Sequence, residues 1–319
     1  MIAAWIEDGS ASLRRVSRPR RKPGHALIRL LCGGICNTDI ELLRGYYGFH
    51  GVPGHEFVGE VVEADDSRWL GKRVVGEINL ACGVCGWCRR GLGRHCPRRT
   101  VLGIVKHRGA FAELLTLPEA NLREVPKEVA TDHAVFTEPI AAACEILEQV
   151  RIPRGAPVAV LGDGKLGLLV AQVLTCHGAA VTVYGRHREK LRIAARAGAD
   201  TRIVNKLPRA AYEYVVDATG SAEGLMSAAA MTRPRGTLIL KSTVHGTVAL
   251  DAARVIVDEI TLVGSRCGPF EPALKLLRGG RILLDEMISA EYPLRDAPSA
   301  FGRAQERGAL KVLLRGETR

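Results

Sequence analysis

The chain has 319 residues, of which 47% are apolar and 25% are charged, and its formal net charge is +11. This length allows two domains with buried cores, and the composition is that of an ordinary globular protein. No apolar run approaches the ~20 residues that a membrane span needs, and an acidic pair interrupts the apolar start MIAAWIEDGS where a signal peptide would continue, so we expect a cytoplasmic protein without a membrane partner.

The basic residues gather in two runs, RRVSRPRRKP (14–23) and RRGLGRHCPRR (89–99). Such runs are usually solvated surfaces. The sequence contains no helix-turn-helix signature, no zinc-finger spacing and no aromatic stacking motif, and aromatic residues make up only 5%. We therefore expect no nucleic-acid partner.

The first 125 residues contain short apolar runs that alternate with polar residues and are separated by turn residues. This period of two predicts small antiparallel strands. The clearest runs are ALIRLL (26–31), EFVGEVVEA (56–64), KRVVGEINL (72–80) and FAELLTL (111–117).

Four of the nine cysteines lie in the segment CGVCGWCRRGLGRHC (82–96). Two, two and seven residues separate them, and such short loops suit four thiolates that converge on one zinc ion. A closed site of this kind leaves no position for a substrate, so the spacing predicts a structural zinc. The adjacent Arg89 and Arg90 are expected to favour the thiolate form. The predicted ligands are Cys82, Cys85, Cys88 and Cys96.

From about residue 140 helical and strand patterns alternate, which predicts a parallel, doubly wound sheet. The chain is thus expected to be a β-rich domain followed by an α/β domain. After the strand-like segment EITLVGS (259–265) we expect a helix over 273–278 and a tail that returns to the first domain.

The segment VAVLGDGKLG (158–167) places a glycine motif between a buried strand and an apolar helix. The glycines allow a tight turn and close approach to a pyrophosphate, and the start of the helix provides amides for the phosphates. This context predicts a dinucleotide site. Its residues are Gly162, Asp163, Gly164, Lys165, Leu166 and Gly167.

The second strand of this unit ends in AVTVYGRHREK (180–190). Proteins that bind NAD usually carry an acid at this point, which holds the 2′-hydroxyl of the ribose. Gly185 stands there instead, and Arg186, His187 and Arg188 follow. We expect Gly185 to leave room for a 2′-phosphate and Arg186 to pair with it, which indicates a preference for NADP over NAD.

Three segments offer ligands for a second, reactive zinc, which needs three protein ligands and one exchangeable position. They are GGICNTD (33–39) with Cys36, GVPGHEFVGE (51–60) with His55 and Glu56, and VFTEPIAAACE (135–145) with Glu138. Each is unremarkable alone, but they occur together beside a dinucleotide motif.

At this point the chain resembles the zinc-dependent medium-chain alcohol dehydrogenases. GGICNTD, GHEFVGEV, the four-cysteine segment, the EP pair, GDGKLG and VVDATG (215–220) follow in the family's order. The resemblance implies a Rossmann domain over 144–268 inside a catalytic domain that resembles chaperonin-10 (GroES), over 1–143 and 269–319. It also implies a homodimer or homotetramer and a place for Thr219 in the cofactor site.

The resemblance implies roles for the remaining residues. Cys36 and His55 would bind the reactive zinc, with Glu56 or Glu138 as the third ligand, as in the polyol, sugar and threonine branches. Thr38 matches the proton relay and Asp39 the carboxylate that orients the ligand histidine, while the family's relay histidine has no match. The segment KLPRAAYEY (206–214) is shorter than usual, which predicts a missing helix.

Three functions therefore stay open. The first is oxidation of a polyol, sugar or other small alcohol with NADP. The second is oxidation of another secondary alcohol, such as an amino alcohol, with NAD. The third is a zinc-stabilised protein that binds a nucleotide or nucleic acid and is catalytically inactive.

Overall fold

The computed structural model describes residues 1–242 and 247–317. Contacts divide these residues into two compact units. The first unit comprises Met1–Glu138 and the described residues from Ile288 onward, and the second comprises Pro139–Met287. The contacts thus group residues 269–287 with the second unit, whereas the boundaries expected from sequence lie at 143/144 and 268/269. Those sequence boundaries stay a proposal.

Short strands joined by turns make up most of the first 138 residues. The strands are β1 (Ile2–Glu7), β2 (Ser10–Arg15), β3 (His25–Ile35), β4 (Glu56–Glu63), β5 (Arg73–Gly76), β6 (Asn79–Leu80), β7 (Thr100–Leu102), β8 (Lys106–His107), β9 (Leu114–Pro118) and β10 (Leu122–Glu124). The helices of this part are α1 (Asn37–Leu43), α2 (Gly86–Arg89) and α3 (Thr131–Ala134).

The strand predicted over 72–80 is two strands in two different sheets. β5 pairs with β4 and β10 in the main sheet, whereas β6 pairs with β7, which also pairs with β8. The chain leaves the main sheet after Gly76, where a Cβ atom would lie 2.5 Å from the side chain of Leu117. The small β6–β7–β8 sheet flanks the four-cysteine segment, since its members lie on both sides of 82–96 in the chain.

The second unit is an α/β domain whose strands run parallel. Helix α4 (Thr137–Gln149) leads into it. Its strands are β11 (Pro157–Leu161), β12 (Ala180–Gly185), β13 (Asp200–Ile203), β14 (Tyr212–Asp217), β15 (Thr232–Leu240) and β16 (Thr261–Gly264). Its helices are α5 (Lys165–His177), α6 (Arg188–Arg196), α7 (Ala222–Met231), α8 (Ala252–Val257) and α9 (Phe270–Arg278).

The parallel sheet has the order β13-β12-β11-β14-β15-β16. This is the doubly wound order of dinucleotide-binding domains, and the order reverses between β11 and β14, where ligands bind beyond the carboxyl ends of the strands. Residues 204–211, all of them described, form no helix between β13 and β14. The missing helix expected from the short KLPRAAYEY segment is therefore observed.

The last part of the chain completes the main sheet of the first unit. It forms β17 (Ile288–Pro293), α10 (Ala297–Gln305) and β18 (Lys311–Arg315). The sheet has the order β10-β5-β4-β3-β18-β17, and β9 also pairs with β3. Phe301 of α10 packs edge-to-face on Phe111 with ring centres 6.2 Å apart, and both are fully buried. The α/β class with a β-rich companion domain is confirmed.

Among the described residues, we find no helix that combines the length and the apolar character needed to span a bilayer.

Candidate functional site

The junction of β3 and β4 brings three predicted metal ligands together. Cys36 follows β3 directly, and His55 and Glu56 stand at the start of β4. The antiparallel register pairs Gly34 with Glu56, which brings Cys36 beside His55. The cysteine Sγ, an imidazole nitrogen and a carboxylate oxygen all lie within 4.8 Å of one another. These three side chains form the reactive cluster.

A buried carboxylate, Asp39, organises this cluster from the first turn of α1. Its Oδ2 accepts a hydrogen bond from the amide of Cys36 at 2.8 Å, and its Oδ1 accepts one from the amide of Gly54 at 3.2 Å. Oδ1 also lies 3.3 Å from Nδ1 of His55. A carboxylate at Nδ1 orients the ring and leaves Nε2 for a ligand.

The same contacts control the charge of the histidine. Burial lowers the pKa of His55, but the carboxylate of Asp39 outweighs burial, and the pKa stands well above its ordinary value. Nearby, the hydroxyl oxygen of Thr38 lies 3.8 Å from Sγ of Cys36. The structure thus brings the predicted relay residue Thr38 and the predicted orienting residue Asp39 to the cluster.

A buried lysine, which the sequence analysis did not identify, completes the cluster. Lys311 opens β18, and its Nζ contacts Oε2 of Glu56, with both side chains almost fully buried. Gly34 makes this contact possible, because a Cβ atom there would lie 2.8 Å from Oε2 of Glu56 and 2.6 Å from Val135. Burial lowers the pKa of Lys311, but the carboxylate of Glu56 outweighs burial and raises it.

The remaining oxygen of Glu56 is the clearest sign of a ligand. Oε1 is buried and has no hydrogen-bond partner among the described atoms. A buried carboxylate oxygen without a partner is costly, and a metal ion would satisfy it. Together with a thiol and an imidazole, this oxygen provides the mixed set of three ligands found at zinc sites that keep one exchangeable position. The residues present therefore fit a zinc ion.

Glu138, the other predicted acid, lies in the first turn of α4 and is half-buried. Its charge contributes to raising the pKa of Lys311, so it lies within electrostatic reach of the cluster. Within the described parts of the chain it does not belong to the group of ligand atoms formed by Cys36, His55 and Glu56.

The four cysteines of the 82–96 segment converge on one point. Their Sγ atoms all lie within 4.8 Å of one another. Sγ of Cys85 lies 3.4 Å from that of Cys88 and 3.7 Å from that of Cys96, and Cys82 lies 3.9 Å from Cys88. Helix α2 brings Cys85 and Cys88 to one side, since residues three apart are neighbours on a helix. Four thiols at this spacing fit a tetrahedral zinc.

The expected roles of Arg89 and Arg90 are wrong, because the structure places both guanidinium groups away from the thiols. Arg89 donates to the carbonyl oxygen of Val84 at 2.7 Å, and Arg90 lies 4.7 Å from the centre of the neighbouring tryptophan ring. The backbone amide of Val84 instead lowers the pKa of Cys82 to about 6. Among the arginines, it is Arg98 that bonds with Cys82.

The glycine motif of the second unit forms the turn between β11 and α5. Gly162 has a φ of +121°, and a Cβ atom there would lie 2.6 Å from the carbonyl oxygen of Ala218. Gly167 packs as closely, 2.2 Å from the carbonyl oxygen of Gly162, whereas nothing lies within 4 Å of a Cβ atom at Gly164. The turn is therefore tight on the protein side and open at the start of α5, as a bound pyrophosphate requires. Lys165 and Leu166 form the first turn of α5.

Thr219 lies directly beside this turn. Its amide and hydroxyl both donate to Oδ1 of Asp217, at 3.0 and 2.7 Å. Burial raises the pKa of Asp217, although the bonds from Thr219 oppose that rise. Because β14 lies next to β11 at the reversal of strand order, the structure places Thr219 at the expected edge of the sheet.

The end of β12 differs from the expectation in one respect. A Cβ atom at Gly185 would lie 2.6 Å from both Cβ and Oδ2 of Asp163, so Gly185 does not leave open room. The expected reason for this glycine is therefore wrong, because Asp163 of the glycine motif fills the space. The side chain of Arg186 is 69% exposed and lies 3.8 Å from Glu223, and Arg188 is exposed at the start of α6.

Comparisons with known proteins match both units. Residues 22–127 match the family model for the alcohol dehydrogenase GroES-like domain, and residues 166–278 match that for the zinc-binding dehydrogenase domain. The chain is 31% identical to an erythritol/L-threitol dehydrogenase of Mycolicibacterium smegmatis, over 89% of this chain and 88% of that protein. It is 32% identical to an L-threonine 3-dehydrogenase of Streptomyces avermitilis, over 97% and 95%.

A solved structure is similar over its whole length. A protein of Sinorhizobium meliloti 1021, described as a zinc-binding dehydrogenase and crystallised with NADP, superposes with a TM-score of 0.89 at 29% identity. The match covers 98% of this chain and 98% of that chain.

Proposed function

This chain belongs to the zinc-dependent medium-chain alcohol dehydrogenase family, and from that membership we propose that it oxidises a hydroxyl group of a polyol, a sugar or another secondary alcohol with NADP as the preferred hydride acceptor. The observation that carries this proposal is the free Oε1 of Glu56 beside Cys36 and His55. The erythritol/L-threitol dehydrogenase relative supports the substrate class.

The chain's own residues divide the work as follows. Cys36, His55 and Glu56 would hold a zinc ion, and the exchangeable position would take the alcohol. When bound, zinc supplies a Lewis acid that lowers the pKa of a hydroxyl group. Asp39 holds the imidazole in place through Nδ1, and Thr38 would receive the hydroxyl proton and pass it on. The hydride moves from the carbinol carbon to the nicotinamide ring.

The third ligand is assigned to Glu56 rather than to Glu138. Glu56 is part of the cluster and has a buried oxygen without a partner, whereas Glu138 acts on the cluster through its charge. We propose a second, structural zinc in the four-cysteine segment, so that each chain holds two.

Changing Cys85 to Ser is expected to remove the structural zinc and lower the melting temperature by about 5 °C or more, because this thiol contacts two others and the metal stabilises the loop that it closes. The measurement is zinc per chain by mass spectrometry, together with a thermal melt. We expect one zinc to remain, in the reactive cluster. A variant that keeps two zinc ions would contradict the structural site.

The direct test of the proposed function is reduction of NADP⁺ and NAD⁺ by the purified protein with polyols, aldoses, simple alcohols and L-threonine. Turnover of polyols or sugars with NADP⁺ supports the proposal. Turnover of L-threonine with NAD⁺ would instead support an amino-alcohol dehydrogenase, which the relative from Streptomyces avermitilis makes the second candidate.

The proposed preference for NADP depends on the exposed guanidinium of Arg186. Arg186→Ala should raise the KM for NADP⁺ by about 10- to 100-fold, because a bidentate charged pair with the 2′-phosphate is removed, and should leave the KM for NAD⁺ nearly unchanged. Steady-state kinetics with both cofactors measure this. Equal effects on the two cofactors would contradict the assignment, and Arg192→Ala on the same helix is the matched control.

We also propose a cytoplasmic homodimer or homotetramer. Nine free cysteines, four of them needed as metal ligands, suit a reducing compartment. Strand β16 ends the parallel sheet, and among the described strands its outer edge has no neighbour. Ile256 and Val257, just before it, are 74% and 79% exposed, which favours burial against a second copy. Light scattering after size-exclusion chromatography measures the state.

A further inference from the structure

Asp163, the second residue of the glycine motif, is the buried acid nearest to the end of β12. It is 8% exposed. Its Oδ2 accepts hydrogen bonds from the backbone amides of Arg186 and His187, each at 2.7 Å. Both of its oxygens also face Nδ1 of His187, at 3.1 and 3.2 Å. One carboxylate thus holds the whole turn that joins β12 to α6.

This carboxylate lies where many related domains place another acid. In proteins that bind NAD, the residue at the end of the second strand supplies a carboxylate to the ribose. Here that residue is Gly185, and the Cγ atom of Asp163 lies 2.8 Å from the position of its missing Cβ. An acid at 185 would carry its own carboxylate only one or two bonds beyond that Cβ. The glycine motif therefore delivers the charge that β12 lacks.

The position of Asp163 has two consequences for a 2′-phosphate. Its negative charge repels a second anion near the end of β12, and such repulsion is strong where water is partly excluded. It also occupies the amides of Arg186 and His187, which are donors that a phosphate in this turn would otherwise use. Arg186, whose guanidinium is exposed, acts in the opposite direction.

We propose that Asp163 is a specificity-determining residue of the cofactor site, and that it limits the preference for NADP by standing in for the acid that β12 lacks. The proposal rests on the proposed function only in that it requires a dinucleotide at the glycine motif. Cofactor choice is then a balance between the attraction of Arg186 and the repulsion of Asp163. This balance predicts use of both cofactors, and a stronger preference for NADP once the charge of Asp163 is removed.

Asp163→Asn tests this with little change of shape. The Asn Oδ1 can still accept both backbone amides, and its amide group can donate to Nδ1 of His187 in the neutral tautomer that accepts there. The probes are 2′,5′-ADP and 5′-AMP, which differ by the 2′-phosphate alone. We expect the variant to bind 2′,5′-ADP about tenfold more tightly than the unchanged protein, with the affinity for 5′-AMP altered by less than about twofold.

Isothermal titration calorimetry on the full-length protein at one ionic strength measures both affinities. The control is Glu189→Gln, which removes an exposed acid two residues beyond His187 and should leave the ratio of affinities unchanged. A fall of both affinities in Asp163→Asn would overturn the proposal, since Asp163 would then only brace the turn. An unchanged ratio, or an equal gain in Glu189→Gln, would overturn it as well.

The proposed function fails in a different way. If the unchanged protein binds neither 5′-AMP nor 2′,5′-ADP, the dinucleotide site is refuted, and the role of Asp163 falls with it. If both probes bind but the variant leaves their ratio unchanged, only the role of Asp163 is refuted.

Discussion

Cys36→Ser is expected to lower kcat/KM by about a thousandfold or more, while the protein stays folded. The change replaces a thiolate ligand of the reactive cluster by a hydroxyl, which is a poor zinc ligand at neutral pH. A metal Lewis acid contributes several kcal/mol of transition-state stabilisation, and a thousandfold loss corresponds to about 4 kcal/mol. Steady-state kinetics on the substrate found in the cofactor assay measure the loss.

Zinc content separates this outcome from unfolding. We expect Cys36→Ser to bind one zinc per chain instead of two, with the four-cysteine site still filled. Cys176→Ser is the matched control, because this partly exposed thiol on α5 contacts only the carbonyl oxygen of Arg281 in the described structure. Turnover within about tenfold of the unchanged protein in Cys36→Ser would refute the reactive cluster as the site of chemistry.

Lys311→Met is expected to reduce the free energy of unfolding of the zinc-free protein by about 3 to 5 kcal/mol, because it leaves the carboxylate of Glu56 buried without a compensating charge. Both side chains are nearly inaccessible, so water cannot replace the lysine without disturbing the sheet. Urea unfolding in the presence of a chelator measures the loss. Added zinc should recover part of it, since the carboxylate then regains a cationic partner.

Two further variants make this prediction specific. Glu56→Gln combined with Lys311→Met removes both charges and should restore most of the stability, as neutral replacements of buried ion pairs commonly do. Lys72→Met removes an ion pair of the same type at the surface, where Lys72 and Glu124 are 42% and 48% exposed, and should cost less than about 1 kcal/mol. If Lys311→Met costs no more than Lys72→Met, the buried pair does not hold β18 in place.

Much of the fold was predictable because its signals are local. The period of two in EFVGEVVEA predicted β4, observed over Glu56–Glu63. The glycine motif predicted the turn from β11 to α5, since a tight turn, a close approach and a helix start all depend on residues within ten positions of each other. The four-cysteine spacing predicted the convergence of thiols for the same reason, because short loops restrict where their ends can go.

Some local predictions failed where packing decided. The run KRVVGEINL has the pattern of one strand, yet its two halves belong to different sheets. Arg89 and Arg90 are adjacent to the cysteines in sequence, but a carbonyl oxygen and an aromatic ring offered them better partners than the thiols. Proximity in the chain did not determine direction in space.

The sequence by itself determined the family, the two kinds of domain, the four-cysteine site and the candidate ligands Cys36, His55, Glu56 and Glu138, because each depends on residue types at short spacing. Only the tertiary structure decided what surrounds those residues. Lys311 meets Glu56 from 255 residues away through the pairing of β18 with β3, and Asp163 fills the space above Gly185 through the packing of β11 beside β12. Sheet register and side-chain volume set both contacts, and no local pattern reports either.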